Sequence, residues 1–485
     1  MNAVTAPPLP TLKPNADRSH GSIQSLVTFR NSQGIEARGT LLRLTRTSLV
    51  FEVYNPYSIV QLSEVLRALR IRRGSRIVYD GRAVVTNLLN TGLLLIVSVK
   101  LIDPWTDLQG LSFSGSGMRD EASRFVSDWK GTYQLKPGYQ LAVTHLRSFL
   151  GELSRWMEQL DLSQPPDATS QSDSDNDFFE ELTLPLREQM VSLLWEFEEN
   201  ADNLSEDELD LHKAFTQRDL HPLMLTAPFV HRTFTKPLGY AGDYDMINMI
   251  YRNQPEGRTA YARLVHSLFT RIPIAQSVRN RNDTLLRYLS EAAPLAHLES
   301  RALSVLSIGC GPAWEVQRFI RLDPDAARFH FRLVDFNQET LEYAKSQVQR
   351  AMDETRVRPQ VDFVHESVHQ LLKQAATTRQ EDVEPTFDLI YCAGLFDYLS
   401  DRVCARLLRL FYFWLRPGGV ALATNMHSSA NFRACMEHIA DWNLIYRDET
   451  RMEALCPEEG EHQMFTDSTG INLCLELRKT AKSHH

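Results

Sequence analysis

Gly309, Gly311 and Asp335 are the residues of this 485-residue chain whose types and spacing do chemistry together. Gly309-Cys310-Gly311 follows the apolar run Leu303 to Ile308, and Asp335 ends a second apolar run, Phe331 to Val334. Glycines permit a tight turn and let a ligand lie close against the backbone. An ionised carboxylate offers only acceptors, so it can take both hydroxyls of a ribose. An acidic residue about 20 positions past such glycines is the spacing of a nucleoside-binding strand–turn–helix–strand unit. Pro312 and Ala313 stand where a dinucleotide site keeps its last glycine, so no seat for a pyrophosphate opens the helix. A nucleoside ligand without phosphates fits better, and S-adenosyl-L-methionine is one.

The elements that must hold these residues continue downstream. The spacing predicts an amphipathic helix over Leu341 to Met352 and a strand over Val361 to His365, followed by Glu366-Ser367-Val368. Next comes the apolar run from Phe387, delivering the small-residue loop Cys392-Ala393-Gly394 and then Leu395 to Leu399. Leu415-Arg416-Pro417-Gly418-Gly419 precedes a strand over Val420 to Thr424. Trp442 to Arg447 and Ile471 to Leu477 are strand candidates for an antiparallel final hairpin. In this order the motifs resemble the class I S-adenosylmethionine-dependent methyltransferases, with two departures: Ser307 stands for the usual acidic residue and Ala313 for the last glycine. The resemblance implies a Rossmann-like α/β core over 299–485. It assigns Gly309, Cys310, Gly311, Asp335, Phe336, Ser367, Val368, Cys392 and Gly394 to the cofactor, with Ser367 and Val368 at the adenine edge.

Upstream, length alone suggests about three domains. The first twenty residues read as a disordered tail rather than a signal peptide. Residues 21–118 read as a β-barrel of six or so strands. Ile35 to Leu44, Ser48 to Val53, Arg76 to Val85 and Thr91 to Leu101 are the clearest strands, with turn signals at Asn55-Pro56, Asp80-Gly81 and Asn90-Thr91-Gly92. The region resembles a PilZ domain in size and rhythm. That family's cyclic di-GMP site uses an Arg-x-x-x-Arg run and a later Asp/Asn-x-Ser-x-x-Gly. Here Arg46 to Phe51 keeps only the serine, so cyclic di-GMP binding is not expected. Residues 119–162 read as helical, 163–177 as an acidic, serine-rich linker, and 178–298 as a helical lid or substrate region, with a capping arrangement at Ser205 and Glu208.

Lys236 to Tyr244 is too glycine-rich for a helix and too aromatic for a plain solvated loop. It reads as a lid, or as an interdomain loop whose tyrosines simply bury. KPLGYAGDYDMINMIY with the departed first motif resembles the bacterial extracellular-factor 3-hydroxypalmitate methyl ester biosynthesis proteins. That resemblance implies methylation of the carboxylate of a 3-hydroxy fatty acid; the alternatives are a methyltransferase acting on a non-lipid metabolite or peptide, or a catalytically inactive methyltransferase-like and PilZ-like interaction and regulatory protein. A carboxylate acceptor is already ionised, so positioning rather than a strong base carries catalysis. Tyr240, Tyr244, Asn425 and His427 are the candidate positioning groups, with His427 alternatively a base or a surface histidine. Asp243 either meets the donor's ammonium or caps the helix beginning at Tyr244. Asp397 and Tyr398 either close over the donor or cap a helix. Arg271, Arg279 and Arg281 either meet an anionic acceptor or form a solvated face.

A formal charge of −9 lacks the basic footprint of nucleic-acid binding. The longest apolar run near the front, Leu93 to Val97, is too short to cross a bilayer. Six cysteines without metal-ligand spacing fit reduced thiols, no metal and a cytoplasmic protein. The long helical middle and the added barrel are compatible with a homodimer.

Overall fold

The computed structural model describes residues 25–32, 34, 36–53, 60–73, 76–90, 95–105, 135–163, 173–299, 301–377 and 385–480. The N-terminal strands are β1 (Ser25–Arg30), β2 (Glu36–Leu44), β3 (Ser48–Val53), β4 (Val65–Arg73), β5 (Arg76–Asn90) and β6 (Leu95–Leu101). They close in the order β1-β2-β3-β6-β5-β4. Strict alternation in β6, where every second residue is buried, turns one face of the ladder toward Phe29, Phe51 and Tyr79 inside the barrel. Closure leaves no unpaired edge.

Two expectations change here. β4 hides in the arginine-rich VLRALRIRR, where Ala68 at φ 48° accompanies a shift in register. Asp80-Gly81 is no turn but the middle of β5, paired with Arg70 and Leu69. A Cβ on Gly81 would come 2.8 Å from the Cβ of Asp103, so this glycine marks a close approach. Asn55-Pro56 and Thr91-Gly92 lie outside the described residues.

The helical middle comprises α1 (Pro137–Ser163), α2 (Asp173–Ala201), α3 (Glu206–Met224), α4 (Pro228–Thr235), α5 (Tyr244–Arg252), α6 (Ala260–Arg271) and α7 (Pro273–Leu298). The backbone of residues 173–177, read as linker, forms the start of α2. Glu208 accepts from the backbone and hydroxyl of Ser205 at 2.8 and 2.9 Å and caps α3. The middle shares one core with Phe432, Met436, Trp442 and Tyr446 from the C-terminal region.

The C-terminal unit runs β7 (Leu303–Ile308), α8 (Trp314–Leu322), β8 (Phe329–Asp335), α9 (Gln338–Thr355), β9 (Gln360–His365), α10 (Val368–Thr377), β10 (Phe387–Ala393), α11 (Asp401–Trp414), β11 (Leu415–Met426), α12 (Glu449–Glu453), β12 (Glu461–Thr466) and β13 (Asn472–Arg478). The sheet order is β12-β13-β11-β10-β7-β8-β9, parallel except for β13 and β12. The expected Rossmann-like core is present. Its order reverses between β8 and β10 around β7, which opens a crevice at the carboxyl ends of those strands.

The final hairpin pairs β13 with β12. Trp442 to Arg447, read as a strand, makes a single bridge, His427 to Arg447. The ladder position beside β11 belongs to β13. The segment is instead anchored by the fully buried Arg447, whose guanidinium donates to Phe396 O at 2.7 Å and meets Asp401 at 2.8 Å.

The barrel docks onto the rest through specific bonds. Val65 N–H donates to Gly239 O at 2.5 Å. Ser63 Oγ donates to Asn443 O at 3.0 Å and accepts from Asn443 N–H at 2.7 Å. Lys100 reaches Gln217 at 2.9 Å. Beneath this contact the buried Lys236 pairs with Asp441 at 3.2 Å. Among the described residues, no helix is long and apolar enough to cross a membrane.

Candidate active site

The crevice at the switch point is a cleft whose floor is the turn between β7 and α8. Gly309 and Gly311 have φ 68° and 53°, and the Gly309 and Cys310 amides both donate to Val334 O, tying the turn to the end of β8. Ala313 holds φ 52°, so the backbone keeps the left-handed bend at the position where the residue itself departs from glycine. A Cβ on Gly311 would meet nothing within 4 Å, so the space above the turn is open to a ligand.

Asp335 lies at the tip of β8, 6% exposed. Its Oδ2 accepts from Gly311 N–H at 3.1 Å and its Oδ1 from Asn337 N–H at 3.0 Å. A carboxylate has about four acceptor sites, so with the Phe336 amide also bonded to it one or two remain for ribose hydroxyls. Burial pushes this carboxyl up to about 6 against those bonds. Phe336 follows it into the cleft, with its ring 5.1 Å from that of Tyr240.

Tyr240 and Tyr244 both line the cleft. Lys236 (φ 48°) and Gly242 (φ 77°) bend their loop back between α4 and α5. A Cβ on Gly242 would fall 2.5 Å from the Tyr398 hydroxyl, so glycine lets this loop close against the opposite wall. The Tyr240 hydroxyl is raised by burial and by Asp335, and Tyr244, bonded to Glu339 at 3.0 Å, is pushed up to about 12, so both stay protonated donors. Val368, Gly394, Asp397 and Tyr398 also line the cleft. Asp397 accepts from Met426 N–H at 2.6 Å, and burial raises it to about 6.

Several expected residues are engaged elsewhere. Asp243 caps α5 through Asp245 and Met246 N–H and pairs with Arg232 at 2.8 Å, so capping accounts for it. Asn425 spends its amide on Met426 O and Ile445 O. His427 pairs with Glu449 at 3.1 Å and bonds Ser429, away from the cleft. Ser367 bonds Gln370, and Cys392 is buried behind the lining. Arg271 meets Glu180 and Asn253, and Arg279 meets Thr270 O and Gln276.

Arg281 alone of that trio reaches the cleft, 7% exposed. A Cβ on Gly394 would come 2.5 Å from its Nη1, which places the guanidinium at the end of β10. Among the described residues no carboxylate lies within ion-pair distance of it. The Tyr251 hydroxyl bonds it, and Glu315 and Asp397 feel its charge without pairing with it, so an arriving anion would be its direct ion-pair partner.

Glu315, in the first turn of α8, carries no motif signature, and sequence reasoning missed it. Its carboxylate accepts from the Tyr391 hydroxyl at 3.0 Å, and that hydroxyl also meets Ser307. The acidic group absent at 307 is thus supplied through Tyr391 from the next helix. Burial raises Glu315 to about 7, with the bond from Tyr391 and the charge of Arg281 opposing. Around these groups, Ile247, Val278, Leu285, Leu395, Met426 and Trp442 form an apolar wall.

No curated protein matches the chain. Among solved structures, a possible exported protein from Bordetella parapertussis is similar at 17% identity and a TM-score of 0.40, over 64% of this chain and 100% of that one. The N-methyltransferase NodS from Bradyrhizobium japonicum WM9, in complex with S-adenosyl-L-homocysteine, is similar at 17% identity and a TM-score of 0.28, over 42% of this chain and 87% of that one. Magnesium protoporphyrin IX methyltransferase (ChlM) from Synechocystis PCC 6803 is similar at 10% identity and a TM-score of 0.32, over 48% and 93%. Residues 305–419, from β7 into β11 and including the turn, Asp335 and Gly394, match the family described as a methyltransferase domain, and S-adenosylmethionine is the cofactor that such a domain implies.

Proposed function

We propose that the cleft transfers a methyl group from S-adenosylmethionine to the carboxylate of a small, acyl-type acceptor, giving a methyl ester. The observation that carries this reading is Arg281, a buried cation that makes no ion pair among the described residues, although Glu315 and Asp397 feel its charge, set in an apolar wall. Asp335 and the glycine turn would hold the nucleoside, with Phe336 and Val368 beside its base. Bound there, the donor supplies an electrophilic methyl. The acceptor carboxylate is the nucleophile: one of its oxygens forms the new bond to carbon as the carbon–sulfur bond breaks toward sulfur, and no proton moves. Arg281 would hold that anion in line, while Tyr240, Tyr244 and Trp442 exclude water. The cleft lining includes no histidine or lysine among the described residues, which suits an acceptor that is already ionised.

A second reading draws on Glu315, whose value of about 7 suits a general base for a hydroxyl acceptor. Incubating the full chain with methyl-labelled donor and 3-hydroxypalmitate or shorter 3-hydroxy acids separates the two. The carboxylate reading expects label in an ester that mild alkali cleaves to methanol. Label that survives alkali as an ether overturns it in favour of Glu315, and the absence of label in any of these acids overturns the acyl acceptor. Arg281→Gln should abolish ester formation while S-adenosylhomocysteine affinity persists. If donor affinity is lost instead, Arg281 holds the donor's own carboxylate.

A further inference from the structure

One piece of the cleft wall comes from outside the α/β unit and its helices. Gln61 belongs to the barrel, in the turn from Val60 to Val65 that leads into β4, yet it lines the same cleft as Gly309 and Asp335, beside Tyr240, Gly242 and Trp442. It is 8% exposed, and among the described residues its side-chain amide has no hydrogen-bond partner. Its carboxamide offers two donors and an acceptor, and neither amide atom is fully enclosed, so both can meet a ligand entering the cleft.

The turn that carries it is held firmly. Gln61 N–H donates to Glu64 Oε2 at 2.7 Å, while Ser32 N–H and Oγ reach Glu64 Oε1 at 2.6 and 2.5 Å. Ser63 adopts φ 61°, a left-handed backbone that a serine rarely takes, and its hydroxyl locks onto the Asn443 backbone on both sides. Val65 is bonded to Gly239 in the tyrosine loop. Strain and buried polar bonds therefore converge on presenting one unpartnered amide to the cleft. Its fastenings run to the tyrosine loop and to Asn443, beside Trp442, whereas the open space over the glycine turn lies with β7 and β8.

We infer that Gln61 is an acceptor-positioning and specificity residue contributed by the barrel, its carboxamide bonding an oxygen of the methyl acceptor, hydroxyl or carboxylate, while the β7–β8 side holds the donor. The inference rests on reading the cleft as a methyl-transfer site. It makes the barrel part of the catalytic unit rather than an appended module. Substituting the side chain leaves the backbone bond to Glu64 in place, so Gln61→Ala should fold.

The test uses the full chain, Gln61→Ala and Gln61→Glu, with melting temperature as the folding control. S-adenosylhomocysteine affinity is measured by calorimetry. Labelled methyl transfer is measured into 3-hydroxypalmitate and into a cell extract fractionated by polarity. Gln61→Ala should keep donor affinity within about twofold and lose about tenfold or more in kcat/KM for the acceptor, mainly through KM. Gln61→Glu should lose more with anionic acceptors than with neutral ones, because it sets a carboxylate against them. Donor affinity that falls in step with transfer overturns the assignment, and so does transfer that is unchanged in Gln61→Ala. A wild-type chain that neither binds S-adenosylhomocysteine nor transfers label removes the underlying reading and this inference with it. An active wild type matched by Gln61→Ala refutes this inference alone.

Discussion

Asp335→Ala is the sharpest probe of the cleft. The carboxylate spends acceptor positions on Gly311, Asn337 and Phe336 N–H and keeps the others toward the open space above the turn. Hydrogen bonds to a charged group are worth about 1.5–3 kcal/mol each, so losing one or two ribose contacts costs roughly 1.5–6 kcal/mol. That corresponds to a dissociation constant weakened about 10- to 10⁴-fold, at 1.4 kcal/mol per decade. The turn itself also loses two anchors, so calorimetry with S-adenosylhomocysteine should be paired with its 2′-deoxy analogue. In the wild type the analogue should bind more weakly than the parent, and in Asp335→Ala the difference should vanish. The reasoning is refuted if Asp335→Ala binds S-adenosylhomocysteine within about threefold of wild type, or if the 2′-hydroxyl matters equally in both proteins.

Two further outcomes follow from the same geometry. Because Glu315 is raised to about 7 in the folded chain from its ordinary 4.5, the native state binds its proton more tightly than the unfolded state, and stability is lost as pH rises through that interval. The buried histidines 266 and 438, depressed to about 4 and about 3, act in the opposite sense, so the comparison must be with Glu315→Gln. Its stability advantage over wild type should grow by up to roughly 3 kcal/mol between pH 4.5 and 7.5 in denaturant titrations, and a pH-independent difference refutes the assignment. Gly394→Ala places a Cβ 2.5 Å from Arg281 Nη1 at a residue with φ 86°. It should lower stability by about 1–3 kcal/mol and displace the guanidinium, read as a fall in melting temperature together with ester formation.

The primary structure alone was sufficient for the half of the cleft built from contiguous chain. The apolar runs, the glycine turn and Asp335 lie within one strand–turn–helix–strand unit, where local backbone preference sets the geometry, and even Ala313 takes the bend its neighbours impose. The Rossmann-like core followed from the same alternation of strands and helices, but the hairpin partner of β13 proved to be β12 rather than Trp442 to Arg447. Asp243, Asn425 and His427 looked equally suited to chemistry because residue type and position show what a side chain offers but not who takes it. Helix capping, the Asn425 bonds to Met426 O and Ile445 O, and the His427 hydrogen bond to Glu449 claim them. Gln61, Arg281 and Glu315 line the cleft from three separate elements, and only long-range packing decides which distant polar groups are buried there. That is why the glycine turn and Asp335 could be read along the chain and Tyr240, Tyr244 and Arg281 named as candidates, while Gln61 and Glu315 emerged only once barrel, helices and sheet were assembled.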